Sequence, residues 1–327
     1  MNVKEIIPLF KADLLLVEGC MTDNFRSDIP LIPTVSKYLA DSGGKRLRPL
    51  LLLICSRLTG YSSERDKDLN IKCAAALEYI HIATLLHDDV IDTADMRRGR
   101  SSANVRWGNS ASVLVGDYLF AKAFSILSQR SDPRVMQTIS SSTVYLTEGE
   151  VKQFNNLHNI NISTVDYYDT IERKTAALLA AACKVGGIIG GGGDEEIDRL
   201  ESFGRNIGVA FQLIDDLLDY TSNEEKLGKP VNDDLKRGNV TLPLIYLYEK
   251  SSDKTRKEIE RAVSGEAEEN EIAKVVQMVM DSGAVECLLG ECQGYIASAK
   301  ESIAPLGQSE YTKYLEAIAD YVMEREI

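Results

Sequence analysis

Histidine, phenylalanine, tryptophan and strand-forming runs are all scarce in this chain. Its 327 residues include three His, one Trp and seven Phe. Six cysteines stand at 20, 55, 73, 183, 287 and 292, with no CxxC pair among them. With so few histidines, that scatter excludes a Cys/His zinc site and points to reduced thiols in a cytoplasmic protein. Net positive charge is also missing. At −13, the chain is a poor partner for nucleic acid or anionic lipid, so an anionic substrate must be met by a local basic cluster. The opening MNVKEIIPLFKADLLLVEG has acids too early for a secretory signal and alternates like an amphipathic helix. No apolar run is expected to cross a bilayer.

What is present is helical periodicity. It predicts helices over about 3–18, 30–41, 46–58, 68–92, 109–128, 133–157, 164–184, 194–220, 240–249, 254–264, 268–281, 284–302 and 308–325. Breakers separate them: Ser42-Gly43-Gly44, Thr59-Gly60, Gly99 with Gly108, Ser131-Asp132-Pro133, a glycine-rich run at 186–193, and Gly228 with Pro230. The glycine run lacks the Lys-Ser/Thr of a phosphate loop and follows no strand, so it reads as a helix–helix connection. No repeat and no composition shift interrupts residues 1–327, which predicts a single all-α domain.

Acids concentrate at two places. Residues 85–99 read LLHDDVIDTADMRRG, with Asp88 and Asp92 four apart and therefore on one helix face. A solvated helix end is the plain alternative, but AALEYIHIATLLH (75–87) before it is apolar on its buried side. The pattern returns in FQLIDDLLDY (211–220), where Asp215 and Asp219 keep the same offset. Two DDxxD segments on facing helices would line a cleft with carboxylates. Oxygen donors without Cys or His favour Mg²⁺, which keeps waters and takes its remaining ligands from substrate phosphates.

Bases accompany the acids. Arg97 and Arg98 follow the first cluster, GGKRLRP (43–49) supplies Lys45, Arg46 and Arg48, ERKTAA supplies Lys174 and Thr175, and LGKP supplies Lys229. Guanidinium forks and ammonium charges suit phosphate oxygens. A lone basic residue usually faces solvent; the association with two acid clusters is what raises the joint reading to a diphosphate site.

These stretches, with GDYLFAKAF (116–124), EGEVKQF (148–154), KTAALLAAA (174–182) and the segment 211–246, resemble the trans-isoprenyl diphosphate synthases, the polyprenyl synthetase family, over most of the chain. The resemblance implies an all-α bundle of antiparallel helices around a deep central cavity, usually a homodimer. It implies up to three Mg²⁺, with Asp88 and Asp92 as ligands of two ions, Asp215 as ligand of a third and Asp219 in support. Lys45, Arg48, His81 and Arg98 match residues that hold isopentenyl diphosphate. Arg97, Lys174, Thr175, Gln212 and Lys229 match those that grip an allylic diphosphate such as farnesyl diphosphate. A histidine on an apolar helix is more often a satisfied core residue, but the spacing of His81 before His87 fits the family; His87 reads as structural.

Product length should be set along the helix below Asp88. In the family a bulky aromatic five residues before the first aspartate stops growth early; here that position is Ala83, followed by Thr84, with Ile80, Ala76 and Cys73 deeper. Each cleared turn lengthens a tunnel by about 5 Å, about one isoprene unit. The expectation is a medium- or long-chain product for a quinone side chain, with Tyr145, Phe154 or a partner residue as floor. Close helix packing is the other reason for small residues here. A farnesyl- or geranylgeranyl-length enzyme, a terpene cyclase or head-to-head synthase, and a non-catalytic subunit of a heteromeric synthase are the alternatives.

Overall fold

The apolar segment LNIKCAAALEYIHIATLLHDDVI contains neither Gly nor Pro and is rich in strong helix formers. In the computed structural model, which describes residues 3–62, 68–129, 132–222 and 231–324, it forms one helix, α5 (Leu69–Ile91). Before it come α1 (Val3–Leu9), α2 (Lys11–Asn24), α3 (Leu31–Ala40) and α4 (Leu47–Leu58). A helix apolar around most of its circumference must be surrounded. α5 accordingly packs against α2, α3 and α4, and also against α6 (Ala103–Trp107) and α7 (Asn109–Leu127). Its residues Cys73 to Ile80 are all buried, as are Leu50 to Ile54 of α4. Each such Leu or Ile contributes about 1.5–3 kcal/mol by leaving water. Between α5 and α6 a short antiparallel hairpin pairs β1 (Met96–Arg97) with β2 (Arg100–Ser101).

The remaining elements are α8 (Pro133–Asn155), α9 (Thr164–Ile171), a π-helical turn (Glu172–Ala176), α10 (Ala177–Gly190), α11 (Asp194–Thr221), α12 (Asp233–Lys236), α13 (Leu242–Lys250), α14 (Asp253–Val263), α15 (Glu269–Asp281), α16 (Ala284–Ile303), a 3₁₀ turn (Ala304–Leu306) and α17 (Glu310–Met323). The protein is all-α. It divides into two compact units, one of residues 1–143, 178–204 and 300–318, the other of 144–177, 205–299 and 319–327. α5 is the axis of the first. The second has its own core, in which Tyr167, Leu213, Ile214, Leu217, Leu242 and Ile259 pack with Val279 and Leu288.

Four expectations from the sequence need correction. The N-terminal helix is two: α1 ends at Leu9 after Pro8, and α2 restarts at Lys11 and runs to Asn24. The predicted helix 164–184 is interrupted by the π-helical turn and continues to Gly190. The glycine run is therefore mostly helix, with only 191–193 left as the connection. Gly186 and Gly190 are required by close approach to α4, because a Cβ at 186 would lie 2.6 Å from the Leu52 carbonyl oxygen and one at 190 would lie 2.5 Å from that of Ser56. Finally, α5 and α7 are both long and apolar enough to cross a bilayer by length and composition. For α5 the cause is its place in the core, since 78% of its most apolar window is buried inside the protein.

Candidate active site

In the first unit the site residues are brought together by the end of α5, the hairpin after it and the loop before α4. Asp88, Asp89 and Asp92 crowd the C-terminal turn of α5, the negative end of its dipole, where cations are the stabilising residues. Asp88 and Asp92 are half-buried. Asp89 is fully buried, and its Oδ1 accepts from Arg97 Nε at 2.6 Å. The sequence reading gave Asp89 no role; it fixes the shaft of Arg97, one of the predicted diphosphate-binding arginines. Arg98 and Gly99 have φ of 50° and 74°, the double positive φ that a two-residue hairpin of the primed kind needs. That turn sends Arg98 back to the 42–46 loop, where its guanidinium donates to the Gly43 carbonyl.

The same loop is anchored by Arg46, which lies in the left-handed region (φ 48°). Its guanidinium donates to Glu78 Oε1 at 2.7 Å and to the Ala40 carbonyl at 2.8 Å. Arg46 is therefore the loop's anchor, and the predicted ligands beside it, Lys45 and Arg48, are what the anchor presents. Glu78 was legible as the one acid inside AALEYIHIA, since a buried carboxylate demands a buried base. Glu78→Ala removes the buried carboxylate from Arg46, whose side chain is 10% exposed, leaving it the longer contact to Glu18 at 3.5 Å and the Ala40 carbonyl, and is expected to cost about 3 kcal/mol. Urea unfolding measures this, and an unchanged midpoint would contradict the anchoring role.

Arg48 Nε is buried and meets no hydrogen-bond acceptor. Burial first, and then Arg98, lower its pKa from the ordinary guanidinium value. His81 sits among these cations. Burial, then Arg48, Arg98, Arg97 and Arg46, hold its imidazole well below its usual pKa, so it is neutral at pH 7. An orphaned guanidinium donor beside a neutral histidine, ringed by arginines, is a pocket short of negative charge. The histidine gives a stability prediction with a definite sign. Unfolded His81 takes up its proton near pH 6.5 and the folded one does not, so the unfolded state binds more protons below that pH and stability falls as pH falls. Thermal melts from about pH 7.5 to 5.5 should show a shallower loss for His81→Asn than for the parent protein; parallel losses would contradict the burial of a neutral imidazole.

In the second unit the site is built on the π-helical turn, an arrangement frequent at functional positions. Gly149 of α8 permits it: a Cβ there would lie 2.7 Å from Lys174 N and from Arg173 Cβ. Lys174 Nζ donates to Glu150 Oε2 at 2.9 Å and to Gln153 Oε1 at 2.6 Å, both from the EGEVKQF segment. Thr175 Oγ1 donates to Gln212 Oε1 (2.7 Å), and Gln212 Nε2 donates to Asp216 Oδ1 (2.7 Å). Asp216 is buried, and desolvation with help from Asp234 pushes its pKa up to about 8. Asp215 is half-buried beside it. Asp219 is fully buried and accepts from the backbone N–H of Asp233 (3.3 Å) and Asp234 (3.1 Å) at the start of α12. It secures the chain after the second motif. Lys229 lies outside the described residues, as do Gly228, Pro230 and Ser131.

Of the tunnel residues, Ala76, Ile80 and Ala83 are fully buried along α5, and Thr84 is nearly so, its hydroxyl spent on the His81 carbonyl. His87 Nε2 lies 3.2 Å from the Val113 carbonyl and 3.5 Å from Asp117 Oδ1. Of the two floor candidates, Phe154 is 61% exposed. Tyr145 lies under the Arg173 guanidinium, 4.2 Å from ring centroid to carbon.

Among the described residues no three His, Cys, Asp or Glu side chains stand close enough to cage a metal alone. Carboxylates that supply one or two oxygens and leave the rest to water and phosphate are what Mg²⁺ uses, so the donor set fits a metal–diphosphate complex.

A family model described as Polyprenyl synthetase matches residues 29–279. The chain belongs to the polyprenyl synthetase family. It is accordingly a prenyltransferase of isoprenoid biosynthesis that uses isoprenoid diphosphates. It is 35% identical over 325 residues to octaprenyl diphosphate synthase of Haemophilus influenzae, covering 99% of this chain and 98% of that one. It is also 35% identical to heptaprenyl diphosphate synthase component 2 of Geobacillus stearothermophilus, with full coverage of both. A crystal structure of a polyprenyl synthase from Caulobacter crescentus, complexed with calcium and isoprenyl diphosphate, superposes with a TM-score of 0.95 at 37% identity, covering 100% and 98% of the two chains. These relatives set the chain among the enzymes that make medium- and long-chain all-trans polyprenyl diphosphates.

Proposed function

We propose that the chain condenses isopentenyl diphosphate head-to-tail with an allylic diphosphate such as farnesyl diphosphate, repeating the step to a medium- or long-chain product that serves as a quinone side chain. The observation that carries this reading is a basic pocket of Arg48, Arg98 and His81 in which the Arg48 Nε is buried without an acceptor, in a chain that keeps both aspartate motifs intact. Its Caulobacter relative, which binds calcium and isoprenyl diphosphate, supports a divalent ion here too, and the all-oxygen donors favour Mg²⁺.

In this mechanism Lys45, Arg48, His81 and Arg98 hold isopentenyl diphosphate. Arg97, Lys174, Thr175, Gln212 and, by resemblance, Lys229 hold the allylic diphosphate, while Asp88, Asp92 and Asp215 would ligate up to three Mg²⁺ with Asp219 in support. Bound Mg²⁺ supplies Lewis-acid neutralisation of phosphate charge. The allylic C–O bond breaks with its electron pair going to the departing diphosphate, whose growing charge Arg97 and Lys174 stabilise. The double bond of isopentenyl diphosphate attacks the allylic carbon, and the proton it then loses passes to the released diphosphate. No protein base is needed.

The chain acts as one domain over 1–327, cytoplasmic and homodimeric in this reading. Val113 and Leu114 of α7, left exposed with Val105 of α6, support a second copy. The Geobacillus relative's name, component 2, favours a second assembly in which a different subunit is required. One experiment separates these: purified chain, Mg²⁺, farnesyl diphosphate and labelled isopentenyl diphosphate, with product length and solution mass read together. Products several isoprene units longer than the primer, from a dimer, support the proposal. Cyclised hydrocarbon, a product one unit longer, or no turnover without another protein would each replace it.

A further inference from the structure

Tyr167 carries no role in the reaction as described, yet it is tied to its machinery. The ring is buried in the core of the second unit, packed edge-on against Tyr168 at 5.6 Å. A buried phenol needs an acceptor, and Tyr167 OH finds Asp216 Oδ2 at 2.5 Å, a short hydrogen bond. The other oxygen of Asp216 accepts from Gln212, whose amide oxygen accepts from Thr175. Four side chains from α9, α11 and the π-helical turn thus form one line. Its donors converge on Asp216, between Asp215 and Asp219 in sequence.

We propose that Tyr167 is a positioning residue: its hydroxyl orients Asp216, and through Gln212 and Thr175 it fixes the π-helical turn that carries Lys174 against the helix that carries Asp215. A tyrosine buried only for packing would show no such convergence. Its neighbour supplies the contrast, because Tyr168 OH is also buried but meets no hydrogen-bond partner. Without the Tyr167 hydroxyl, Asp216 keeps one donor and is free to turn about its own Cβ–Cγ bond. Gln212 then loses a fixed acceptor, and Thr175 loses the amide that aims it. The consequence falls on the allylic diphosphate and its metal, not on isopentenyl diphosphate, whose proposed ligands lie in the other unit.

This rests on the proposed function, and the test separates the two. Tyr167→Phe keeps the ring, and Tyr168→Phe removes a hydroxyl outside the line. Loss of one buried hydrogen bond is expected to raise the KM for farnesyl diphosphate and the Mg²⁺ half-saturation by about tenfold in Tyr167→Phe. The KM for isopentenyl diphosphate and all constants of Tyr168→Phe should stay within about twofold. Calorimetric binding of inorganic diphosphate with Mg²⁺ should weaken to the same degree, which tests the inference without turnover. Unchanged constants in Tyr167→Phe, or equal changes for both substrates and both variants, would overturn it. Failure of the parent protein to elongate farnesyl diphosphate while Tyr167→Phe still weakens diphosphate binding would instead sink the proposed function alone.

Discussion

Asp88→Ala is expected to lower prenyl transfer by several powers of ten while the protein still folds. The carboxylate is half-buried at the C-terminal turn of α5, with Asp89 and Asp92 around it. Asp89 is held by Arg97, but like charges at this turn still repel and the helix dipole opposes each by about 0.3–1 kcal/mol. Removing Asp88 relieves that repulsion, so the empty protein should melt at the same temperature or slightly higher. The rise in melting temperature on adding Mg²⁺ and diphosphate, a direct consequence of ligand binding to the native state, should be much reduced. Asp215→Ala should behave alike. Near-normal turnover in either variant would remove the metal role from that residue, and a lowered melting point of the empty protein would mean that the acid serves the fold.

The second large effect is on product length. Ala83→Tyr should shift products to a short chain by closing the path along α5 one turn below the metal site. Ala83, Ile80 and Ala76 are all fully buried in the empty protein, so a tunnel along them exists only if the growing chain parts the helices, and close packing is the alternative. The variant distinguishes the two. If the space beside Ala83 is a tunnel, tyrosine enters it with little loss of stability and the product shortens. If the helices are close-packed there, the ring overfills the core at a cost of about 1–3 kcal/mol or more. The length distribution among surviving molecules would then not change. Mass analysis of the dephosphorylated products, run beside a thermal melt, reads both.

Much of this was legible in the chain because the decisive features are local. Helical periodicity gave nearly every helix to within a few residues, and the paired aspartates four apart needed only helix geometry to share a face. What could not be read were pairings set by distant segments. Asp89 looks like a third acid of its cluster until the hairpin returns Arg97 to it. Arg46 looks like one more base of GGKRLRP until Glu78, thirty-two residues on, claims it. The π-helical turn has no sequence signature of its own; it depends on Gly149 yielding room in α8. Glycine misled in the other direction, because Gly186 and Gly190 serve helix–helix contact rather than a break.

The most direct measurement is a crystal structure of the protein with Mg²⁺ and a non-reactive thio analogue of farnesyl diphosphate. The account predicts one diphosphate whose oxygens share metal ions with Asp88 and Asp92 on one side and Asp215 on the other, with Lys174 and Arg97 in contact with it. A diphosphate held by only one aspartate motif, the other facing solvent without metal, would contradict it.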